Sequence, residues 1–371
     1  MNKNQNEKQF FLSQYSVAEY QSDLYILFIG LAFGIIKKKS EFAFIIPNSL
    51  TNNLNNSKIR KYILENSMIN TIVDTPIGVF PDATVDTVVL TATILNTSNS
   101  SILVSEIKDK KIVISNSVSQ SSFTNNENYY FDFLTLPENK ALLSKIEVNS
   151  VQLNEISDSS SGIKEYEIGK GIPPQTKEDR VNKIFNSTEK MDDTYIKHIQ
   201  GYEVNNYVLN WQGGYLKYGK WIAAPRDPKY FKGERIIIRE IPGKDRLIVA
   251  YSIDNYTVKN TAHVFIINDF YDSKFIVGLL NSKLIGYYFV NKFSERDSVF
   301  PKAKIGQCRL LPIKKCELYN QTPISELVNH IIHTKQQNPS ANTTSLESEI
   351  DQLVYMLYGL TEEEIEIVEK A

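Results

Sequence analysis

The sequence predicts an α/β protein, in which part of a doubly wound sheet is followed by a mixed α/β domain and a helical C-terminus. Three observations lead to this fold class. Strand-like and helix-like segments alternate before residue 95. Residues 166–315 are rich in tyrosine, tryptophan, glycine and β-branched residues, as domains with many short strands are. Residues 324–370 have the periodicity of two or three helices.

The first region reads as strand, helix, strand, loop, strand after an initial helix. That helix is predicted from Glu19 to Lys38, where apolar residues recur at helical spacing. Phe42–Ile46 is apolar at nearly every position, as a strand buried on both faces would be. A helix at Ser57–Glu65 and strands at Ile69–Val73 and Thr84–Leu95 follow. This order is typical of the closing half of a doubly wound sheet.

The later elements are predicted from composition and from helix-capping signals. Arg235–Arg239 and His263–Ile267 are β-branched runs and indicate strands. Asp351–Leu360 is an amphipathic helix with a glycine near its end. Thr361 and Glu364 have the spacing of a capping box at the start of the last helix.

Polar stretches divide the chain into four expected segments. The serine-rich stretch Ser157–Gly162 indicates a linker. The expected boundaries are 1–125 for the partial sheet, 126–162 for a linker region, 163–318 for the mixed domain and 319–371 for the helical segment.

The charge is unevenly distributed along the chain. The 371 residues are 42% hydrophobic and 23% charged, which is ordinary for a globular protein, and the net charge is −2. Residues 195–317 nevertheless contain 20 lysines and arginines against 11 acidic residues, whereas the remainder contains 21 against 32. A basic segment between acidic flanks is typical of a domain that faces phosphates. A solvated surface of mixed charge is the alternative.

The targeting and cysteine signals in the sequence are weak. Met1–Tyr20 lacks an apolar signal core, and Leu24–Ile36 is too short to span a bilayer, so we expect a cytoplasmic protein. The two cysteines, Cys308 and Cys316, are expected to be reduced thiols rather than a zinc site or disulfide.

Two metal-dependent alternatives have little support in the sequence. His330 and His333 have a spacing that can bind metal, but no ligand cluster completes the set, so a solvated helix face is expected. Asp82, Glu106 and Lys108 fit a loose metal-nuclease pattern, a spacing that arises often by chance. We therefore expect no metal site.

Several segments, in the same order along the chain, resemble a known enzyme family. Phe42–Asn48 and Gly78–Val89 resemble the back half of a TaqI-type (gamma-class) DNA adenine-N6 methyltransferase, alone or fused in a type II restriction-modification enzyme. Tyr166–Gln175 and Gly214–Trp221 resemble its DNA-specificity domain, and Leu357–Glu364 resembles the end of such enzymes. The resemblance covers most of the chain and implies that the first region is part of a methyltransferase sheet.

The resemblance implies one base-contacting residue and two departures from the family. Phe80 matches the position where these enzymes stack an aromatic ring on the flipped-out adenine; a core residue at a sheet end is the alternative. The Asn-Pro-Pro-Tyr motif and the Phe-x-Gly-x-Gly-type loop for S-adenosylmethionine are both absent. We therefore expect no catalytic residue in this chain, no cofactor bound by it alone, and S-adenosylmethionine only in the complete enzyme.

Basic and aromatic side chains are interleaved after residue 216. Basic groups neutralise phosphates and read guanine edges, whereas we expect most of the aromatic rings to pack the domain itself. The candidate DNA-binding residues are Lys217, Tyr218, Lys220, Arg226, Lys229, Lys232, Arg235, Arg239, Lys302, Lys304 and Arg309.

The function expected from these residues is sequence-specific recognition of double-stranded DNA and positioning of the target adenine within a methyltransferase or restriction-modification enzyme. A separate or upstream methyltransferase half would carry the cofactor site and would meet an exposed edge along Phe42–Ile46. The alternatives are a truncated fragment without a role of its own and a non-catalytic protein that binds protein or carbohydrate.

Overall fold

A computed structural model describes residues 5–19, 23–75, 86–95, 100–108, 111–133, 137–293 and 302–370. The chain divides into two compact units, Met1–Glu138 and Asn139–Ala371. The α/β class predicted from the sequence is confirmed, since each unit combines sheet and helix. Among the described residues, no helix has the length and apolarity needed to cross a membrane.

The first unit is built on a five-stranded sheet with the order β1-β3-β2-β4-β5. Strand β3 is antiparallel to both β1 and β2, β4 is parallel to β2, and β5 is antiparallel to β4. The strands are β1 (Glu41–Pro47), β2 (Met68–Thr75), β3 (Thr87–Thr93), β4 (Ser101–Lys108) and β5 (Lys111–Ser119). The helices are α1 (Gln5–Gln14), α2 (Leu24–Ile35), α3 (Ser49–Asn52), α4 (Ser57–Asn66) and α5 (Gln120–Thr124).

Strand β1 is an edge strand among the described residues, as the sequence predicted, because its one partner there is β3. The expectation that both of its faces are buried is wrong. Phe42 and Ile46 are buried, but Ile45 is 57% exposed. The reason is that side chains alternate across a strand, and the face that carries Glu41, Ala43 and Ile45 is exposed among the described residues.

The second unit has one main core between a sheet and a layer of helices. The sheet has the order β12-β11-β14-β7, and its apolar face packs against α8, α9, α11 and α12. Two further sheets have the orders β13-β9-β10-β8 and β15-β6. The strands are β6 (Ser150–Gln152), β7 (Ser157–Ser161), β8 (Asn186–Ser187), β9 (Tyr195–Ile199), β10 (Tyr215–Lys217), β11 (Arg235–Arg239), β12 (Val249–Ser252), β13 (Thr257–Val258), β14 (Ala262–Ile267) and β15 (Pro312–Lys314).

The helices of this unit begin at its boundary and continue to its end. They are α6 (Pro137–Glu147), α7 (Lys177–Asn182), α8 (Ser273–Asn281), α9 (Lys283–Phe293), α10 (Ile305–Arg309), α11 (Leu318–Gln337), α12 (Thr344–Tyr358) and α13 (Glu362–Lys370). The predicted capping box is present, since Glu364 N donates to Thr361 Oγ1 at 3.3 Å and Thr361 N donates to Glu364 Oε2 at 2.8 Å. Gly359 ends α12 in the left-handed conformation, φ 70°.

The structure differs from the expected boundaries in two places. The serine-rich stretch is strand β7 rather than a linker, because its backbone completes an antiparallel ladder with β14 and its side chains need no apolar partner. The helical tail belongs to the core of the second unit, since Ile324, Val328 and Ile350 are fully buried in the cluster that contains the sheet.

Candidate nucleic-acid interface

The turn after β10 presents lysines beside a tryptophan ring. Lys217 ends the strand, and its Nζ lies 5.4 Å from the centre of the Trp221 ring. Trp221 Nε1 donates to the Lys217 carbonyl at 2.8 Å, which fixes the ring across the turn. Gly219 faces the ring so closely that a Cβ there would lie 2.5 Å from it. Lys220 is exposed, so the turn carries cationic side chains on a rigid frame.

The aromatic residues of this region pack the domain, as expected. Tyr218 and Phe231 make an edge-to-face contact at 4.9 Å, and both belong to a small cluster around Leu216. The Tyr218 hydroxyl donates to the carbonyl of Arg226. The polar group of this residue, which was predicted to contact DNA, is therefore hydrogen-bonded within the protein. Tyr230 donates to Asp158 at 2.6 Å.

Arg235 was wrongly predicted to dock on DNA. It is fully buried, with its guanidinium donating to the carbonyl of Gly233 at 2.6 Å and to that of Asp254. Desolvation by burial lowers the pKa of Arg235 to about 10. A side chain that is already inside the domain and bound to two carbonyls cannot reach a phosphate, and its role is to join the β11 region to the turn after β12.

Two other predicted arginines also connect backbone segments. Arg226 donates from Nε to the Ser161 carbonyl at 2.8 Å and from Nη1 to the Ala224 and Pro225 carbonyls at 3.2 and 3.1 Å. Arg309 donates to Ser159 through its side-chain oxygen at 2.9 Å and its carbonyl at 3.1 Å. Both guanidinium groups hold the edge strand β7, which leaves fewer of their donors for a phosphate.

The remaining candidates lie at the surface. Lys229 forms an ion pair with Asp158, both about half exposed, and Lys302 lies 3.4 Å from Glu240. Three others occupy separate positions: Lys232 is exposed beside Gly233, Arg239 is partly buried at the end of β11, and Lys304 is exposed at the start of α10. Their contact with DNA stays a prediction.

A buried polar network supports the sheet β13-β9-β10-β8. This network was not predicted from the sequence. Glu165 is 5% exposed, and its carboxylate lies 3.0 Å from His198 Nε2 and 2.8 Å from Lys259 Nζ. Asn186 donates to it at 3.0 Å, and His198 Nδ1 lies 2.8 Å from Thr257 Oγ1. These residues come from separate segments of the chain, so no local pattern marks them.

The network controls the ionisation of its carboxylate. Burial raises the pKa of Glu165, but the hydrogen bond and charge of His198, followed by the bonds from Lys259 and Asn186, outweigh burial and lower the pKa to about 2. The carboxylate is therefore ionised at neutral pH and ties β8, β9 and the segment after β13 to the start of the domain.

Phe80 and Asp82 lie outside the described residues, so the base-stacking prediction and the nuclease pattern are not placed by the structure. Among the residues that are described, no group of three or more histidine, cysteine, aspartate or glutamate side chains could hold a metal ion. His330 and His333 are both exposed on α11. Cys308 is buried and Cys316 partly buried, both as free thiols, and desolvation raises the pKa of Cys308 to about 12.

Two family models match the chain. Residues 196–313 match the TaqI-like C-terminal specificity domain, and residues 1–80 match the Eco57I restriction-modification methylase. The turn at Lys217–Trp221 and the strands β10 and β13 lie within the matched range. Strand β9 begins one residue before that range, and β8 precedes it. The resemblance to a restriction-modification methyltransferase with such a domain is confirmed.

The relatives are longer proteins. The chain is 25% identical over 367 residues to the predicted type II restriction enzyme and methyltransferase RM.MjaORFECS2P of Methanocaldococcus jannaschii, covering 91% of this chain and 28% of that protein. The fold is similar to the Type IIL restriction-modification enzyme MmeI in complex with DNA, with a TM-score of 0.64, 14% identity, and 99% of this chain and 55% of MmeI covered. The Type ISP restriction-modification enzyme LlaGI gives a TM-score of 0.54 at 11% identity, over 90% of this chain and 39% of that chain.

Proposed function

We propose that this chain recognises a specific sequence in double-stranded DNA as part of an adenine-N6 methyltransferase or restriction-modification enzyme. The observation that carries the proposal is the Lys217–Trp221 turn, which holds the partly buried Lys217 and the exposed Lys220 on a fixed backbone within the range that matches the TaqI-like specificity domain. Lys220 and Lys232 extend the same charge at exposed positions of the following chain. Flexible lysines at the surface neutralise phosphates, and base contacts from neighbouring side chains add specificity.

The test of DNA binding is its salt dependence. If Lys217, Lys220 and Lys232 each neutralise one phosphate, the logarithm of the binding constant should fall against the logarithm of salt with a slope of about −3. Fluorescence anisotropy of a labelled duplex at several salt concentrations measures this slope. Binding to protein or carbohydrate through the aromatic residues, the alternative function, would leave the duplex unbound at every salt concentration.

In the complete enzyme, Phe80 would stack on the flipped adenine, and S-adenosylmethionine would be held by a methyltransferase half that carries the Asn-Pro-Pro-Tyr motif. The present chain supplies neither that motif nor the cofactor loop, so its expected contribution is recognition and positioning. Methyl transfer by the purified chain alone would contradict this division. The site of action would be the cytoplasm.

The proposed joint with the methyltransferase half is the β1 edge. Strand β1 exposes Ile45, and helix α2 exposes Leu24, Phe28 and Ile35 along one side, at 54%, 61% and 74%. An open strand edge that carries an exposed apolar side chain is suited to strand pairing with another polypeptide segment.

Association can be measured by size-exclusion chromatography with a methyltransferase half that carries the Asn-Pro-Pro-Tyr motif. We expect Ile45→Lys to abolish the complex, because it places a charge in the joint. The matched control is Ile112→Lys, at a 67% exposed position on β5, the opposite edge of the same sheet. Loss of the complex with Ile112→Lys instead would place the joint at β5 and contradict the proposal.

A further inference from the structure

The loop of residues 167–175 in the second unit is held at its base by hydrogen bonds. Gln175 is buried, and its Nε2 donates to the Glu165 carbonyl at 2.9 Å and to the Trp221 carbonyl at 2.7 Å. Its Oε1 accepts from Glu167 N at 2.7 Å, which closes the loop between residues 167 and 175. Gly171 has φ +84° and lies so close to Trp221 that a Cβ would meet its carbonyl oxygen at 2.2 Å. The loop is therefore fixed at its base.

The loop exposes apolar side chains to solvent. Ile168 is 55% exposed and Ile172 62% exposed, with the exposed Lys170 between them. The next element, α7, has no buried residue, and its Val181 is 68% exposed. A short helix with no buried residue gains little stability from tertiary packing, and contiguous exposed apolar side chains on a fixed backbone are suited to binding.

The position and charge of the loop favour a polyanion. Ile172 N donates to the Lys220 carbonyl at 2.9 Å, so the loop adjoins the Lys217–Trp221 turn and extends its surface. Residues 168–184 contain four basic and two acidic residues. One of the acids, Asp179, is engaged in the helix cap, where it accepts from Thr176 N at 2.7 Å. The basic residues of this segment, Lys170, Lys177, Arg180 and Lys183, are all exposed.

We propose that this loop enters the major groove of the duplex and contributes to the choice of DNA sequence, with Ile168 and Ile172 against the bases. Lys170 and Lys220 then lie at the flanks of the groove, on phosphates. Apolar side chains discriminate bases by contact with the thymine methyl group, whereas the lysines set position and affinity. This inference rests on the proposed function and adds a specificity element to it.

Photocrosslinking tests the contact directly. The photoreactive residue p-benzoylphenylalanine replaces Ile172 in one variant and Val148, a 64% exposed residue of the same unit, in the control. With a labelled duplex at low salt, we expect a DNA crosslink from position 172 and none from position 148. Retained binding with no crosslink from position 172 would overturn the inference and leave the proposed function standing. Absence of binding by the unmodified chain would overturn both.

A substitution test separates specificity from affinity. In the double variant Ile168→Ser and Ile172→Ser, we expect preference for the selected sequence over random DNA to fall about tenfold, since one lost base contact has roughly that effect. The salt slope should stay unchanged because the lysines remain. Val148→Ser is the matched control. Unchanged preference would overturn the inference. Unchanged preference together with lost association with the methyltransferase half would also assign the loop to a protein partner.

Discussion

The buried carboxylate of Glu165 should make a large, pH-dependent contribution to the stability of the specificity domain. Its pKa is about 2 in the folded protein, down from 4.5. Because the folded-state pKa is depressed, the stabilisation is fully present above about pH 4.5 and is lost as the pH falls toward 2. The shift corresponds to about 3 kcal/mol of unfolding free energy at pH 7, at roughly 1.4 kcal/mol for each pH unit.

The perturbation is Glu165→Gln, which keeps the shape but presents amide hydrogens to the donors of Lys259 and Asn186. Urea denaturation followed by circular dichroism should show a loss of about 3 kcal/mol at pH 7 and of about 1 kcal/mol at pH 3. The control is Glu167→Gln, whose exposed pair with Lys164 should contribute little. A loss that is equal at both pH values would refute the electrostatic reasoning.

Three further substitutions test the assignments of individual residues. The double variant Lys217→Ala and Lys220→Ala should reduce the salt slope of DNA binding by about 2, while Lys370→Ala leaves it unchanged; equal slopes for all would remove the turn from the interface. Arg235→Ala should lower the unfolding free energy by about 3 kcal/mol, because two carbonyls lose their donor, without changing the DNA affinity of the folded protein. An affinity loss at full stability would restore Arg235 to the DNA surface. Phe80→Ala, in the complete enzyme, should weaken binding to DNA with a target adenine by about 1–3 kcal/mol, and no change would make Phe80 a structural residue.

The sequence predicted the elements whose signals are local. Helix α4, strand β2 and the capping box at Thr361 follow from periodicity and from short-range chemistry, and their positions agree with the structure within a few residues. The turn at Lys217–Trp221 was also visible, because its basic and aromatic residues are neighbours in the chain.

The features that the sequence did not predict depend on partners far along the chain. The serines of β7 form a strand because β14, about a hundred residues later, offers a backbone edge. Arg235 lies in a basic segment, and the sequence predicts a surface cation there. In the structure it is buried and donates to the carbonyl of Asp254. Glu165 and His198 meet across 33 residues, and neither residue type predicts such a pair. Local composition reports charge, whereas burial is decided by tertiary contacts.

The central claim is that this chain selects a DNA sequence. The most direct measurement is binding of the purified chain to a randomised duplex pool at two salt concentrations, followed by sequencing of the bound fraction. We predict salt-sensitive retention and enrichment of one short motif, since phosphate contacts and base contacts act together on the same surface. Retention of all sequences in equal proportion, or no retention at either salt concentration, would contradict the claim.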